Sequence, residues 1–345
     1  MRALRCDGRS VRLATDAPEP VPAPGEALVR INRMLVGPSD AAAAERGFSG
    51  ILGSQFVGVI KQINLPADVG PVLAARKGWT GKCVTASPTI ACGSCDLCHR
   101  GLSAHCRART VMGVHGRDGC FADLVRVPLA SLCLVPDSVK DDDAVFAHAV
   151  SGALHAAHML RSEGASFITV LGDSAAALLT AQVLARMNKT VRVLTSRSDR
   201  QRLCEKWGIK HRAMDEAGRR QDQDVVVDCT GASSGLRLAL QFVRPRGTVL
   251  LKSPLALAPF PAGRPFPDVT ADSAWATPVD LTPAIVNEVQ IAGSRDGPVP
   301  DALRMLSEGV IDVASLVGRR FKLNEAPEAL KHAAAADALA VMLEV

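Results

Sequence analysis

Four cysteines in the first half of the chain constrain its fold more than any other feature. They lie within fifteen residues at the spacing C-x2-C-x2-C-x7-C, at positions Cys92, Cys95, Cys98 and Cys106. Four thiolates complete the tetrahedral coordination of zinc and leave no open position for water, so this spacing predicts a structural metal ion rather than a catalytic one. The alternatives are four free thiols or two disulfides in a loop. We expect one zinc ion in a lobe formed by residues 92–106.

The composition is that of a folded protein of about two domains. The chain has 345 residues, of which 48% are hydrophobic, and a formal net charge of +5. Its basic residues occur in short groups near acidic ones, which favours solvated faces over a nucleic-acid interface. No apolar run reaches the length of a membrane span, and the N-terminus lacks the apolar core of a signal peptide. We therefore expect a cytoplasmic protein that does not bind nucleic acid and has no membrane span.

The pattern of apolar residues changes near residue 167. Before it, short alternating runs predict an irregular β domain. After it, continuous apolar runs predict strands at Phe167 to Leu171, Val191 to Leu194, Asp224 to Asp228, Thr248 to Leu251 and Val289 to Ala292. Helical patterns separate them at Ala175 to Met187, Asp199 to Trp207 and Ser234 to Phe242. Apolar strands alternating with helices predict an α/β fold with a doubly wound parallel sheet of the Rossmann type.

These patterns predict two domains and one unusual insertion. Residues 152–297 form the Rossmann domain, and residues 1–151 form the β domain with 298–345 returning to it, since the last segment is too short for a core of its own. Residues 254–278 form an insertion with six prolines. We expect an ordered contact segment that covers a cleft or binds another chain; the alternative is a solvated loop.

The cysteine lobe, placed between a β-rich domain and a Rossmann pattern, resembles the medium-chain dehydrogenase/reductase superfamily in its zinc-containing alcohol, threonine and polyol dehydrogenase branch. Residues 24–31, 52–59, 119–123 and 144–148 extend the resemblance over nearly the whole chain. The resemblance implies a GroES-like irregular β domain followed by the Rossmann domain. It also implies a homodimer formed through the last Rossmann strand, whose apolar edge needs a cover.

In active members of this branch, a catalytic zinc is held by a cysteine, by a histidine followed by glutamate, and by a further glutamate or cysteine. The matching positions here are Gly37, then Ser54 followed by Gln55, and then His148. Glycine has no ligand atom, and a neutral serine hydroxyl is a poor zinc ligand. Zinc lowers the pKa of bound water from 15.7 to about 7, roughly 12 kcal/mol, so its loss should abolish alcohol oxidation.

Two polar residues of this region persist, namely Ser39 and Asp40. The resemblance implies that the hydroxyl at position 39 relays the substrate proton, although Pro-Ser-Asp also forms turns on its own. The alternative to a lost metal site is a rebuilt one, formed by His148, Asp40 and either His155 or His158.

The first turn of the Rossmann region departs from the fingerprint G-x-G-x-x-G/A. Gly172 and Ala177 fit the first and third positions, whereas Ser174 replaces the glycine that lets the backbone approach a pyrophosphate. After the second strand, Ser196 and Arg197 stand where NAD enzymes carry an acidic residue, which favours NADP(H) over NAD(H). The resemblance places Thr230 in the same cofactor cleft. Ser196 and Arg197 also suit the start of a solvent-facing helix.

Two functions follow from these substitutions. The first is a pseudoenzyme, in which the dehydrogenase fold serves as a structural or binding subunit of an assembly. The second is a zinc-independent NADP(H) oxidoreductase of the quinone or enoyl reductase type, which delivers hydride to an already polarised double bond of a small molecule.

Overall fold

The computed structural model describes residues 1–8, 10–68, 70–160, 166–187, 189–218, 220–253, 279–335 and 338–345. The proline-rich insertion at 254–278 lies outside these residues. The described chain divides into two compact units, one formed by Met1–Ser151 with Pro298–Val345 and the other by Gly152–Gly297.

The elements are numbered in chain order. The strands are β1 (Ala3–Asp7), β2 (Val11–Ala14), β3 (Glu26–Val36), β4 (Ser49–Ile51), β5 (Gln55–Asn64), β6 (Cys83–Ala86), β7 (Thr89–Ile90), β8 (Thr110–Met112), β9 (Gly116–Arg117), β10 (Leu124–Pro128), β11 (Leu132–Leu134), β12 (Phe167–Leu171), β13 (Thr190–Thr195), β14 (Lys210–Ala213), β15 (Gln223–Asp228), β16 (Val243–Leu251), β17 (Gln290–Gly293), β18 (Val317–Lys322) and β19 (Ala340–Glu344). The helices are α1 (Pro38–Glu45), α2 (Pro71–Ala74), α3 (Asp96–His99), α4 (Asp141–Ala144), α5 (Ala147–Met159), α6 (Ala175–Arg186), α7 (Ser198–Lys206), α8 (Ser233–Phe242), α9 (Thr282–Val286), α10 (Val299–Ser307) and α11 (Ala326–Ala333).

The first unit is built on a seven-stranded sheet. Its strands follow the order β11-β6-β5-β3-β19-β18, and β10 also pairs with β3. Because β19 pairs antiparallel with β3, with Val341 opposite Val36, the C-terminal segment completes the sheet that the N-terminal segment begins. Two small sheets, β2-β1-β4 and β7-β8-β9, flank this core. The core itself is apolar and includes Phe56, Phe121 and Met34, each fully buried.

The second unit is a six-stranded sheet in the order β14-β13-β12-β15-β16-β17. All five pairings are parallel. Strands β12, β13 and β15 are almost entirely buried, as expected for a parallel sheet with helices on both faces. The strand order reverses at β12, which is the point where open α/β sheets bind ligands at the carboxyl ends of their strands. The expected α/β fold with a Rossmann domain is confirmed.

The predicted elements of the second unit differ from the observed ones at their ends and at one edge. The strands β12 to β17 and helices α6 to α8 lie where the apolar pattern placed them, except that β14 was not expected. Its sequence, Lys210-His211-Arg212-Ala213, is too polar to predict a strand. Charged side chains are typical of an edge strand, where they oppose pairing with other chains.

Within the described residues, no helix combines the length and the apolar character that crossing a membrane requires.

Candidate functional site

The four cysteine sulfurs converge on one point in the first unit. Their Sγ atoms all lie within 4.8 Å of one another. The Cys95–Cys98 and Cys92–Cys106 separations are both 3.5 Å, and the Cys95–Cys106 separation is 3.9 Å. Tetrahedral zinc with 2.3 Å bonds requires sulfur–sulfur distances of about 3.8 Å. The geometry of the cluster therefore fits a zinc ion.

Local structure explains how the lobe presents these thiols. Helix α3 begins after Cys95 and carries Cys98, while Cys106 is fully buried at the other end of the lobe. Hydrogen bonds from the Ser94 backbone amide and hydroxyl lower the pKa of the Cys92 thiol to about 6. A thiolate is the form that binds zinc, so this environment favours a metal.

The positions that match the catalytic zinc ligands form a different cluster. Gly37 precedes α1, and Asp40 lies in the first turn of that helix with no solvent exposure. The Asp40 carboxylate accepts a hydrogen bond of 2.8 Å from the Gly37 amide and one of 3.1 Å from the Ser54 hydroxyl. Burial raises the pKa of Asp40 to about 6, partly offset by these hydrogen bonds. Ser54 is itself buried, so its oxygen is committed to the carboxylate.

The turn before β5 holds Ser54 and Gln55 in place through a glycine. Gly53 has φ +103°, and a Cβ there would lie 2.4 Å from the ring of Phe121, so only glycine fits this close approach. Beyond it, Cys120 donates a hydrogen bond of 3.4 Å to the Gln55 carbonyl. Burial and the charge of Asp40 raise the pKa of the Cys120 thiol well above its usual value. This environment favours the neutral thiol.

These residues do not fit a catalytic zinc. Among the described residues, the four-cysteine cluster is the one group of three or more His, Cys, Asp or Glu with donor atoms close enough to share a metal. The rebuilt site of His148, Asp40 and His155 or His158 stays a prediction. His148 lies in α5, where its carbonyl accepts a hydrogen bond of 2.7 Å from Ser151. The histidine at 155 instead contacts the Ser294 hydroxyl, at 2.9 Å.

The glycine turn of the second unit is preserved at its first position. Gly172 has φ +125°, and a Cβ there would lie 3.2 Å from the backbone of Cys229. At the second position, Ser174 caps α6, because its hydroxyl accepts a hydrogen bond of 3.2 Å from the Ala177 amide. The side chain at Ser174 thus occupies the helix N-terminus, which in dinucleotide-binding sheets faces the pyrophosphate.

The end of β13 carries the residues expected to recognise the cofactor ribose. Arg197 precedes α7 and pairs with Asp199 at 3.3 Å. The Ser196 amide donates a hydrogen bond of 3.2 Å to the carboxylate of Asp173. At the end of β15, the Thr230 hydroxyl donates a hydrogen bond of 2.7 Å to Asp228. All of these polar groups have partners within the unit.

Sequence reasoning missed three residues at this edge. Asp173 contacts the Ser196 amide after β13, Arg200 contacts the Asp173 carbonyl, and neither residue belongs to the fingerprint glycines. Lys252 follows β16, and its ammonium donates a hydrogen bond of 2.7 Å to the Arg295 carbonyl. Burial lowers the pKa of Lys252. Of these three residues, only Asp173 could have been noticed in the sequence, because it is an acidic residue inside a phosphate-binding turn.

A four-thiolate lobe in a β unit and a Rossmann unit in the same chain are both typical of the zinc-containing medium-chain dehydrogenases/reductases. The chain is similar to this superfamily over its full length. Residues 23–137 match the alcohol dehydrogenase GroES-like domain family.

Two relatives that match most of the chain are named as a dehydrogenase or a dehydrogenase-like protein. An uncharacterized zinc-type alcohol dehydrogenase-like protein of Haemophilus influenzae is 23% identical over 330 residues, covering 90% of this chain and 89% of the relative. An L-threonine 3-dehydrogenase of Salmonella arizonae is 24% identical over 257 residues, covering 69% of this chain and 72% of the relative.

Solved structures match the full length. A protein described as a zinc-binding dehydrogenase of Sinorhizobium meliloti 1021, bound to NADP, is 25% identical with a TM-score of 0.80, covering 100% of this chain and 99% of that one. Galactitol-1-phosphate dehydrogenase of Escherichia coli has a TM-score of 0.83 at 18% identity, with both chains fully covered.

Proposed function

We propose that this protein keeps the structural zinc of its superfamily but has lost the catalytic zinc, and that it acts as a pseudoenzyme: a structural or binding subunit of an assembly. The observation that carries the proposal is the hydrogen bond of Asp40 to Ser54 beside Gly37. This cluster stands where a cysteine and a histidine would hold the catalytic metal. It offers a buried carboxylate and a hydroxyl instead of a thiolate and an imidazole.

The chemical consequence concerns the substrate hydroxyl. Alcohol oxidation at neutral pH needs the proton of the hydroxyl to be removed, and a zinc ion supplies that acidity in zinc-dependent relatives. Asp40 has no exposed surface, and its oxygens already accept hydrogen bonds from Gly37 and Ser54. It is therefore poorly placed to act as a base towards a bound alcohol. The structural zinc, held by the four cysteines, would stabilise its lobe and take no part in chemistry.

The test is a panel of small alcohols and polyols, with NAD and NADP as oxidants and zinc added. We expect no turnover above that of the buffer. A zinc-dependent turnover that disappears in the variant His148→Ala would contradict the proposal, because it would show a working metal site at the substituted positions.

A zinc-independent NADP(H) oxidoreductase is the second candidate. It is favoured by Arg197 and Arg200 near the end of β13, since guanidinium groups suit a 2′-phosphate. The similar protein of S. meliloti, whose structure contains NADP, also supports this candidate. A thermal-shift panel with NAD, NADH, NADP and NADPH separates the two candidates. A ligand at 100 times its dissociation constant stabilises the folded state by about 2.7 kcal/mol. A shift of that order with any of the four nucleotides favours the oxidoreductase, and no shift with any of them favours the pseudoenzyme.

The proposal includes a homodimer and a cytoplasmic location. The parallel sheet ends at β17, which is largely exposed, and the preceding helix α9 exposes Ile285 and Val286 at 77% and 73%. An apolar sheet edge of this kind is stabilised when a partner covers it. None of the ten cysteines, all of which the structure describes, forms a disulfide, which supports a reducing compartment.

A further inference from the structure

Asp173 bridges the two parts of the second unit that would receive a dinucleotide. It follows Gly172 in the turn after β12, and its carboxylate reaches across to the end of β13. There the carboxylate accepts a hydrogen bond from the Thr195 hydroxyl and one of 3.2 Å from the Ser196 amide. Thr195 is fully buried, so its hydroxyl is held in a fixed place.

The donors that Asp173 engages lie at the position that decides cofactor choice. In doubly wound sheets, the ribose of the adenosine is recognised about 20 residues after the glycine turn, at the end of the second strand. A 2′-phosphate binds there through hydroxyl, amide and guanidinium groups. A carboxylate is also an anion that accepts hydrogen bonds from the same donors. We infer that Asp173 occupies the anion subsite at the end of β13 and keeps the phosphate monoester of NADP(H) out of it.

The nearby arginines do not leave an uncompensated positive charge. Arg197 and Arg200 both pair with Asp199, and Arg200 also donates a hydrogen bond of 3.0 Å to the backbone carbonyl of Asp173. Both guanidinium groups thus already share the carboxylate of Asp199. Like charges in close contact repel, so a phosphate dianion entering this subsite would meet the charge of Asp173. A preference for NADP(H) that is inferred from Arg197 alone is therefore too strong.

The inference about Asp173 does not depend on the loss of the catalytic zinc. A chain without that zinc could still bind NADPH, and a chain with Asp173 in the subsite could still hold a catalytic metal. The two proposals therefore fail on different measurements, the first on alcohol turnover and the second on nucleotide affinity.

The experiment measures the affinities of the full-length protein for NADPH and NADH by isothermal titration calorimetry, in the variants Asp173→Ala and Asp173→Asn beside the unchanged protein. Asp173→Ala removes both the charge and the bulk. We expect its affinity for NADPH to rise at least ten-fold, with little change for NADH, because only NADPH carries the 2′-phosphate. Asp173→Asn removes the charge but still fills the space, so we expect a smaller gain.

A second substitution tests whether the gain arises at the end of β13. Thr195→Val is close in shape and removes the hydroxyl donor, so in the Asp173→Ala background it should reverse most of the gain. Unchanged NADPH affinity in a folded Asp173→Ala variant would overturn the inference, as would NADPH binding by the unchanged protein as tight as that of the variant. If Asp173→Ala does not fold, the absence of any gain in Asp173→Asn overturns it in the same way.

Discussion

At the scale of single residues, burial destabilises the ionised form of Asp40. Its pKa is raised from 3.8 to about 6 because burial penalises the charged carboxylate. The folded state therefore binds the proton more tightly than the unfolded state, and ionisation destabilises the fold. The cost is absent below about pH 3.8 and complete above about pH 6. It amounts to roughly 3 kcal/mol.

Replacing Asp40→Asn should therefore stabilise the protein at pH 7.5. The amide oxygen can still accept the hydrogen bond of the Gly37 amide, and the NH2 group can donate to the Ser54 hydroxyl oxygen, while the charge is gone. We expect a gain of about 1–3 kcal/mol in the free energy of unfolding at pH 7.5, shrinking as the pH falls from 6 to 4. Urea unfolding at several pH values measures it. The exposed change Asp16→Asn is the control and should have no such pH dependence. Equal destabilisation by Asp40→Asn at pH 4.5 and 7.5 would contradict this account of Asp40.

The space at Gly37 allows the metal site to be rebuilt. A Cβ there would lie 3.7–3.9 Å from Ser39, Asp40 and Gln55, which is ordinary contact, and φ is −121°. Asp40 already bonds residue 54, and a carboxylate that receives the second ring N–H of a zinc-bound histidine is a common support.

The four changes Gly37→Cys, Ser54→His, Gln55→Glu and His148→Glu together should raise the zinc content from one to two ions per chain. The same variant with glycine kept at position 37 is the matched control and should retain one, because the thiolate ligand is missing. Elemental analysis after dialysis checks both. Equal zinc in the two variants would show that the first position is not part of a metal site.

Substitutions at single positions were predictable from the sequence, but their contacts were not. The changes at Gly37 and Ser54 follow from the family resemblance, which matches these positions one by one. That Asp40 is wholly buried, and that Asp173 reaches the end of β13, depend on side chains from separate segments meeting in three dimensions. Contacts between segments that are distant in the chain cannot be predicted from the local sequence.

At the scale of elements, the cysteine lobe has no apolar core of its own that could replace its metal. Its stability depends on four thiolates sharing an ion, and binding of that ion is part of the folding free energy. Helix α3 has only four residues, and none of them is buried.

Cys95→Ser should release the zinc and open the lobe. We expect loss of the bound ion in elemental analysis and new proteolytic cleavage between residues 92 and 106. Cys133→Ser, which changes a cysteine of β11 outside the cluster, should keep both the zinc and the resistance to protease. Full zinc occupancy in Cys95→Ser would rule out the four-cysteine site.

The strands of the parallel sheet could be predicted because each is a continuous apolar run. β12 was predicted with the observed bounds, and β13 and β15 to within one residue at each end. β16 begins five residues earlier than expected, because Pro245 and Gly247 interrupt the apolar pattern at its start. β14 was missed because an edge strand is half solvated and its charged residues hide the pattern.

At the scale of the whole molecule, the exposed apolar residues beside β17 predict self-association. Ile285 and Val286 lie in α9, which precedes β17 in the chain, and Ile291 of β17 is also exposed, at 39%. The double change Ile285→Glu and Val286→Lys should convert a dimer to a monomer in light scattering at micromolar concentration. The control Val21→Lys, at a 78% exposed side chain remote in sequence from this edge, should leave the dimer intact. A monomer in the unchanged protein would contradict the homodimer.

The central claim is that this chain retains one zinc site of its superfamily and has lost the other. It rests on one cluster of four sulfurs that fits zinc and on a second cluster, at Gly37, Asp40 and Ser54, that does not. The most direct test is the zinc content of the purified protein, measured by elemental analysis against protein concentration after exhaustive dialysis. One zinc ion per chain is the predicted result, and two tightly bound zinc ions per chain would contradict the account.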